Sequence, residues 1–207
     1  MLVMELLGTV SFSVSGTLVA VICGLDLFGV VTVGTITAVG GGIIRDLLIG
    51  NIPPAVFQKP EILLLAVITS IIVFVVAFIN SKRIKDISAK IESINIFFDA
   101  LGLAAFSVTG VEMTCVAGFA DNALLSVVLG VITGVGGGVL RDVLVNQKPY
   151  ILIKHIYAVA SLVGAVVYYV AGIYFGQELI GTIASVLLTV MIRMLAAKFR
   201  WNLPKVM

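Results

Sequence analysis

The chain has 207 residues, of which 60% are hydrophobic and only 12% are charged, and its formal net charge is +2. Soluble domains are about 25% charged, so this composition and a mean hydropathy of +1.22 exclude an ordinary soluble protein. The small net charge argues against nucleic-acid binding, which needs a basic patch. The sequence has a single histidine, His155, and no recognisable catalytic, phosphate-binding or zinc motif, so we expect neither an enzyme nor a bound cofactor or metal.

Seven apolar segments are long enough to cross a bilayer, which takes about 20 residues. In chain order they cover residues 3–24, 28–50, 61–80, 94–118, 122–145, 154–174 and 177–197. The first segment lacks a basic leader, so we interpret it as a retained span and not as a cleaved signal. The sequence therefore predicts an all-α membrane protein with seven transmembrane helices. Cys23 and Cys115 both lie in apolar runs, which predicts two inert buried thiols.

Lysine and arginine residues are concentrated in the connection 81–90, in the connection 146–154 and after residue 197. With seven spans, these three segments lie on the same side of the membrane. Cytoplasmic connections carry the excess of basic residues, so we predict a multi-pass protein of the cell membrane with its N-terminus outside and its C-terminus in the cytoplasm. The basic residues are Lys82, Arg83, Lys85, Lys90, Lys148, Lys154, Lys198, Arg200 and Lys205.

A motif of three glycines followed by an Arg–Asp pair occurs once in each half of the chain. The first copy contains Gly40, Gly41, Gly42, Arg45 and Asp46, and the second contains Gly136, Gly137, Gly138, Arg141 and Asp142. We predict a duplication into residues 1–90 and 91–174, with a seventh helix and basic tail at 175–207. Each copy has three spans, so the second enters the membrane from the opposite side and the repeats are inverted.

Three glycines cost about 1 kcal/mol each in a helix interior relative to alanine. One interpretation is a kink or unwound turn near the bilayer midplane, which frees the carbonyls of residues 37–39 and 133–135 toward an aqueous path. The other is close helix packing through small residues. Because the motif is duplicated and followed by charges, we favour the break, although both can occur together.

The Arg–Asp pairs are predicted to line this path. Adjacent helical residues do not face each other, so we expect each arginine to reach freed carbonyls or a more distant carboxylate; snorkelling to the membrane surface is the alternative. Glu5 and its repeat equivalent Asp99 are interpreted as interfacial, and Arg193 as a snorkelling anchor. The other candidate polar residues of the pathway are Ser13, Ser15, Ser107, Thr109 and Glu112.

The doubled Gly-Gly-Gly-x-x-Arg-Asp motif in a seven-span chain of this length resembles the prokaryotic branch of the trimeric intracellular cation (TRIC) channels. The resemblance implies a homotrimer in membrane lipid, with one hourglass-shaped pore inside each protomer. It implies that the second and fifth spans line this pore, kinked at their glycines. The implied permeant ions are potassium and, less strongly, sodium, with no resident cofactor and the possibility of bound lipid. The Lys-Glu-Val signature of animal members is replaced here by Val139-Leu140-Arg141-Asp142, so their lipid regulation is not carried over.

Two further classes of function stay open at this stage. Inverted repeats with broken helices are equally typical of secondary transporters, and in a carrier for an amino acid Arg45 or Arg141 would hold the carboxylate. A purely structural membrane protein does not need matched charges inside the membrane, which makes this class the least favoured.

Overall fold

The computed structural model describes residues 1–80, 88–153 and 156–201. These three ranges contain nine α-helices and no β-strand. The helices are α1 (Leu2–Ile22), α2 (Leu27–Leu48), α3 (Ala55–Gln58), α4 (Pro60–Ile79), α5 (Ser88–Thr114), α6 (Ala123–Leu144), α7 (Tyr150–Ile153), α8 (Tyr157–Tyr168) and α9 (Glu178–Phe199).

Within the described ranges, seven helices are long and apolar enough to cross a membrane, which confirms the predicted fold class. Their ends agree closely with the predicted segments: the span expected at 61–80, for example, is the helix Pro60–Ile79. The helices α3 and α7 are single turns placed after α2 and α6. The predicted spans 94–118 and 154–174 end in wider π-helical turns, Cys115–Phe119 and Tyr169–Tyr174.

Equivalent residues begin and end the two glycine-rich helices. The side chain of Asp26 accepts a hydrogen bond from Gly29 N at the start of α2, and Asn122 does the same for Leu125 N at the start of α6. Each cap satisfies an amide that has no partner inside the helix. Both helices end in a left-handed residue, Gly50 after α2 and Asn146 after α6. The duplication is therefore visible in the capping chemistry as well as in the motif.

The contacts at the helix ends show that the repeats run in opposite directions. The end of α2 lies with the start of α1, because Arg45 and Glu5 line one cavity. The end of α6 lies instead with the end of α1, where Gln147 Nε2 donates a hydrogen bond to Cys23 Sγ at 3.2 Å. The two glycine-rich helices therefore end at opposite faces of the bundle, as an inverted repeat requires.

Both cysteines are free, but the prediction that both are buried is wrong. Cys23 is exposed because it is the C-terminal cap of α1, and Cys115 is partly buried at the start of a π-helical turn. Several residues used to predict the orientation lie outside the described ranges, so that orientation stays a prediction. These residues are Lys82, Arg83, Lys85, Lys154 and Lys205.

Candidate functional site

Helices α2 and α6 cross in direct backbone contact at their glycine motifs. A Cβ atom on Gly41 would lie 2.1 Å from the carbonyl oxygen of Thr133, and one on Gly137 would lie 2.0 Å from the carbonyl oxygen of Thr37. Any side chain at either glycine would therefore overlap the backbone of the opposite helix. The two contacts are equivalent in the repeat, so the crossing is nearly two-fold symmetric.

The unwound turn predicted at the glycines is wrong. Helices α2 and α6 stay α-helical through Gly40, Gly41, Gly42, Gly136, Gly137 and Gly138. The carbonyls of Thr37 and Thr133 face the opposite glycine and not an aqueous path. Close contact between the helices offsets the low helix propensity of glycine, so the backbone has no need to unwind. A bend of either helix axis at these positions stays a prediction.

An aromatic pair fills the space beside the crossing. The rings of Phe12 in α1 and Phe106 in α5 have their centroids 5.3 Å apart. Each ring lies over a glycine of the opposite repeat, Phe12 over Gly102 and Phe106 over Gly8. Both phenylalanines belong to a buried apolar cluster. The space beside the crossing is therefore filled by buried apolar side chains.

Each arginine of the motif bonds to the aspartate that follows it. Arg45 Nε lies 2.9 Å from Asp46 Oδ1, and Arg141 Nε lies 2.8 Å from Asp142 Oδ1. The prediction that adjacent residues leave these pairs apart is wrong, because the long arginine side chain can fold back to its neighbour. The predicted contact with a more distant carboxylate is confirmed for Arg141, which reaches Asp99 at 2.8 Å. All four residues are buried, which makes pairing necessary since an unpaired buried charge is costly.

The second carboxylate oxygen of each aspartate fixes the short helix that follows. Asp46 Oδ2 accepts a hydrogen bond from Ala55 N at the start of α3, at 2.7 Å. Asp142 Oδ2 accepts one from Tyr150 N at the start of α7, at 2.8 Å. A carboxylate at a helix N-terminus satisfies free amides. The aspartates therefore join the ends of the crossing helices to the connections beyond them.

Arg141 also belongs to a buried polar group that we call the Asp99 cluster, formed by Asp99, Asp142, Arg141, Arg193, Ser15 and Tyr157. Arg141 Nη1 lies 2.8 Å from Asp99 Oδ1 and 2.7 Å from Ser15 Oγ. Arg193 Nη2 approaches the other oxygen of Asp99 at 3.5 Å, and its Cζ lies 4.4 Å from the centroid of the Tyr157 ring. The side chains come from several different spanning helices, so the cluster ties the second repeat to α1 and α9.

Two expectations fail at this cluster. Asp99 is fully buried and not interfacial, and Arg193 is 3% exposed and does not snorkel. Asp99 and Asp142 supply two carboxylates, and Arg141 and Arg193 supply two guanidinium groups. The four charges therefore balance inside the bundle. The sequence contained two usable signals: Asp99 matches Glu5 in the repeat, and Arg193 lies within an otherwise apolar stretch of α9.

The first repeat has a cavity where the second has the Asp99 cluster. We call it the Arg45 cavity; its volume is about 60 Å³. Arg45, Glu5, Thr9 and Thr109 contribute polar lining, and Phe106 closes it toward the apolar core. Among the described residues, the Glu5 carboxylate has no ion-pair partner and Arg45 Nη1 has no hydrogen-bond acceptor. The equivalent acid and arginine are thus apart in one repeat and joined in the other.

Three other predicted pathway residues lie outside both the cavity lining and the cluster. The Ser13 hydroxyl is buried without a partner among the described residues. Ser107 Oγ lies 2.6 Å from Ser161 Oγ, which connects α5 to α8. Glu112 accepts a hydrogen bond from the Tyr168 hydroxyl and also links α5 to α8. Their role in a pathway stays a prediction.

Comparison with known proteins places these features in a family. A protein-family model described as "Glycine transporter" matches the chain twice, over residues 2–78 and 96–172. The inner membrane protein YadS of Escherichia coli K12 is 35% identical, with 97% of this chain and 93% of YadS covered. The membrane protein YvgT of Bacillus subtilis is 32% identical, with 97% and 94% covered.

Solved structures give the same result. A prokaryotic TRIC channel crystallised in 0.5 M KCl is 35% identical and superposes with a TM-score of 0.84 over 97% of both chains. The TRIC orthologue of Rhodobacter sphaeroides is 29% identical, with a TM-score of 0.85 over 96% of this chain and 97% of that one. The chain belongs to the TRIC channel family.

TRIC membership confirms the resemblance drawn from the doubled motif. The same family model matches each half of the chain once, and the division at residues 90 and 174 stays a prediction. The nearly full coverage also shows that the TRIC fold includes α9, which lies outside both matches to the repeat. The Asp99 cluster and the Arg45 cavity are therefore unequal features of one duplicated channel fold.

Proposed function

We propose that the protein conducts monovalent cations, chiefly potassium with sodium also passing, through a pore inside each protomer of a homotrimer. The observation that carries the proposal is the close match, over nearly the whole chain, to a prokaryotic TRIC channel. Membrane lipids surround the trimer, and no resident cofactor is needed. The proposed location is the cell membrane, with the N-terminus outside and the C-terminus in the cytoplasm.

The proposed pathway runs from the Arg45 cavity, past Phe12 and Phe106, to the Asp99 cluster. The two sites lie at opposite ends of the glycine crossing, since α2 and α6 end at opposite faces. The buried aromatic pair and the buried cluster interrupt this route. The described conformation therefore corresponds to a closed pore in which one half is already hollow.

The positive charge of an arginine in a cation pathway must be neutralised by a nearby carboxylate, and this chain has such carboxylates. The Asp46 carboxylate neutralises Arg45. Glu5 adds a carboxylate that has no ion-pair partner in the described part of the chain, and such a carboxylate attracts cations. In the Asp99 cluster, Asp99 and Asp142 balance Arg141 and Arg193. The charge pattern therefore favours cations over anions in the hollow half.

The first test is single-channel recording of the purified protein in a planar bilayer with a potassium chloride gradient. We expect discrete current steps that reverse near the potassium equilibrium potential. Reversal near the chloride potential, or a silent bilayer with inserted protein, contradicts the proposal. Native mass measurement in detergent tests the trimer separately, and a protein that is only monomeric contradicts that part.

A second candidate function is the transport of a small zwitterion such as glycine. It is favoured by one observation: Arg45 and Glu5 line the same cavity without pairing to each other. An amino-acid carboxylate fits the free Nη1 of Arg45 and its ammonium group fits Glu5. Glycine counterflow in proteoliposomes tests this function, since a carrier exchanges substrate and saturates while a channel does neither.

A further inference from the structure

The two repeats contain equivalent acid and arginine residues but differ in how these are paired. In the second repeat, Asp99 and Arg141 are in contact at 2.8 Å. In the first, Glu5 and Arg45 are not ion-paired within the described part of the chain, and a cavity is present. The motif residues therefore cannot by themselves account for the closure of one half.

The feature that distinguishes the second half is Arg193 of α9. This helix has no counterpart in the first repeat, since the family matches end at residues 78 and 172. Arg193 approaches Asp99 Oδ2 while Arg141 holds Oδ1, so the carboxylate is fixed from two sides. The guanidinium of Arg193 also lies over the ring of Tyr157, a residue of α8 that is 2% exposed.

Charge balance gives Arg193 a further effect. With Arg193 present, Asp99 and Asp142 face two arginines, and the buried cluster is neutral. Without it, the same two carboxylates face Arg141 alone, and an excess negative charge is left in a buried site. Such a charge is strongly unfavourable unless water or a cation reaches it. Loss of Arg193 therefore favours hydration of this half of the bundle.

We infer that Arg193 is a positioning residue which keeps the Asp99 half of the pathway closed, so that displacement of α9 controls access to that half. The inference rests on the proposed pathway. According to this inference, α9, which lies outside the repeat, causes the difference between the two halves of the pathway.

The test combines a chemical and an electrical measurement. Asn95 is buried on α5, one helical turn before Asp99. It therefore lies between Asp99 and the membrane face at which α5 begins. In a background carrying Cys23→Ser and Cys115→Ser, Asn95→Cys introduces a single thiol. Its reaction with a charged, water-soluble methanethiosulfonate reagent in lipid nanodiscs then reports access to the Asp99 cluster without any requirement for ion conduction.

We expect Arg193→Met to accelerate this modification about tenfold, which is within the range for residues that couple two conformations. It should raise the single-channel open probability by a similar factor. Arg193→Lys, which keeps the charge, should remain close to the parent protein. Lys198→Met is the matched control, because it removes an exposed charge from the same helix and should change neither measurement.

Equal modification rates in the parent protein and in the Arg193→Met variant overturn the inference. Faster modification with no current from any protein, the parent included, leaves the inference standing and contradicts the channel proposal. Size-exclusion chromatography checks that each variant keeps the parent's oligomeric state. If Arg193→Met does not, Arg193→Gln provides the same comparison while keeping a polar contact to Asp99.

Discussion

At the scale of single residues, an equivalent acidic residue is paired in one repeat and not ion-paired, within the described residues, in the other. Glu5 is partly buried near the start of α1, whereas Asp99 is fully buried within the long helix α5. A carboxylate that keeps contact with a cavity can remain without a partner, but one without access to water must be paired. The position of each acid along its helix therefore determines whether it needs a partner, and in the second repeat Arg141 and Arg193 supply that pairing.

Glu5→Gln should weaken the preference for cations. The substitution removes the Glu5 carboxylate, which has no ion-pair partner among the residues that the structure describes, and a unit charge about 5 Å from a hydrated ion is worth roughly 1 kcal/mol. We therefore expect the potassium-to-chloride permeability ratio, measured from reversal potentials, to fall about fivefold. Glu61→Gln, an exposed acid next to the cavity-lining Ile62, is the control, and an equal effect of both variants contradicts the prediction.

At the scale of helices, the glycine motif acts through contact between α2 and α6. The crossing brings backbone against backbone at Gly41 and Gly137. Gly42 differs, because the only neighbouring atom near its Cβ position among the described residues is Arg45 Nη2, at 3.8 Å. Consecutive glycines in one motif therefore have different tolerances to substitution, which the sequence pattern alone does not distinguish.

Gly41→Ala should destabilise the protein, whereas Gly42→Ala should not. The new methyl group at position 41 overlaps the Thr133 carbonyl, and overpacking of this kind costs about 1–3 kcal/mol or more. At position 42 the methyl group finds space, and alanine gains up to about 1 kcal/mol of helix propensity. Thermal unfolding midpoints in detergent compare the two variants. A lower midpoint for Gly42→Ala than for Gly41→Ala refutes this account of the crossing.

At the scale of the whole molecule, the inverted repeat places equivalent helix ends at opposite faces. The Cys23–Gln147 contact fixes the end of α1 beside the end of α6. Gln177 lies in the connection between α8 and α9. The helix α8 crosses the membrane between the end of α6 and this connection, so Gln177 lies at the face opposite to Cys23. These two exposed positions therefore report on opposite sides of the membrane.

Labelling of Cys23 tests the predicted orientation. If the N-terminus is outside, Cys23 faces the cytoplasm, and an impermeant thiol reagent should label it in inverted membrane vesicles but not in intact cells. The control carries Cys23→Ser and Gln177→Cys and should be labelled in intact cells. Cys115→Ser is included in both proteins. The reverse pattern shows that the orientation is opposite to the one predicted.

The sequence predicted most of the fold but little of the site's pairing. Spans and duplication follow from local composition, so the span expected at 61–80 and the repeat of Arg45–Asp46 as Arg141–Asp142 needed no knowledge of tertiary contacts. The contact between Asp99 and Arg193 joins residues far apart in the chain, and neither residue's neighbours in sequence indicate the other. The interpretation of Arg193 as an anchor failed for this reason.

The sequence by itself determined a seven-span membrane protein with an inverted repeat and the TRIC family motif, because hydropathy, glycine content and charge bias are properties of short segments. Only the tertiary structure decided that the glycines serve a helix crossing, that a cavity lies beside Arg45, and that Asp99 pairs with Arg141 and Arg193. These features depend on how the helices approach each other, since burial at a crossing determines which charges must pair.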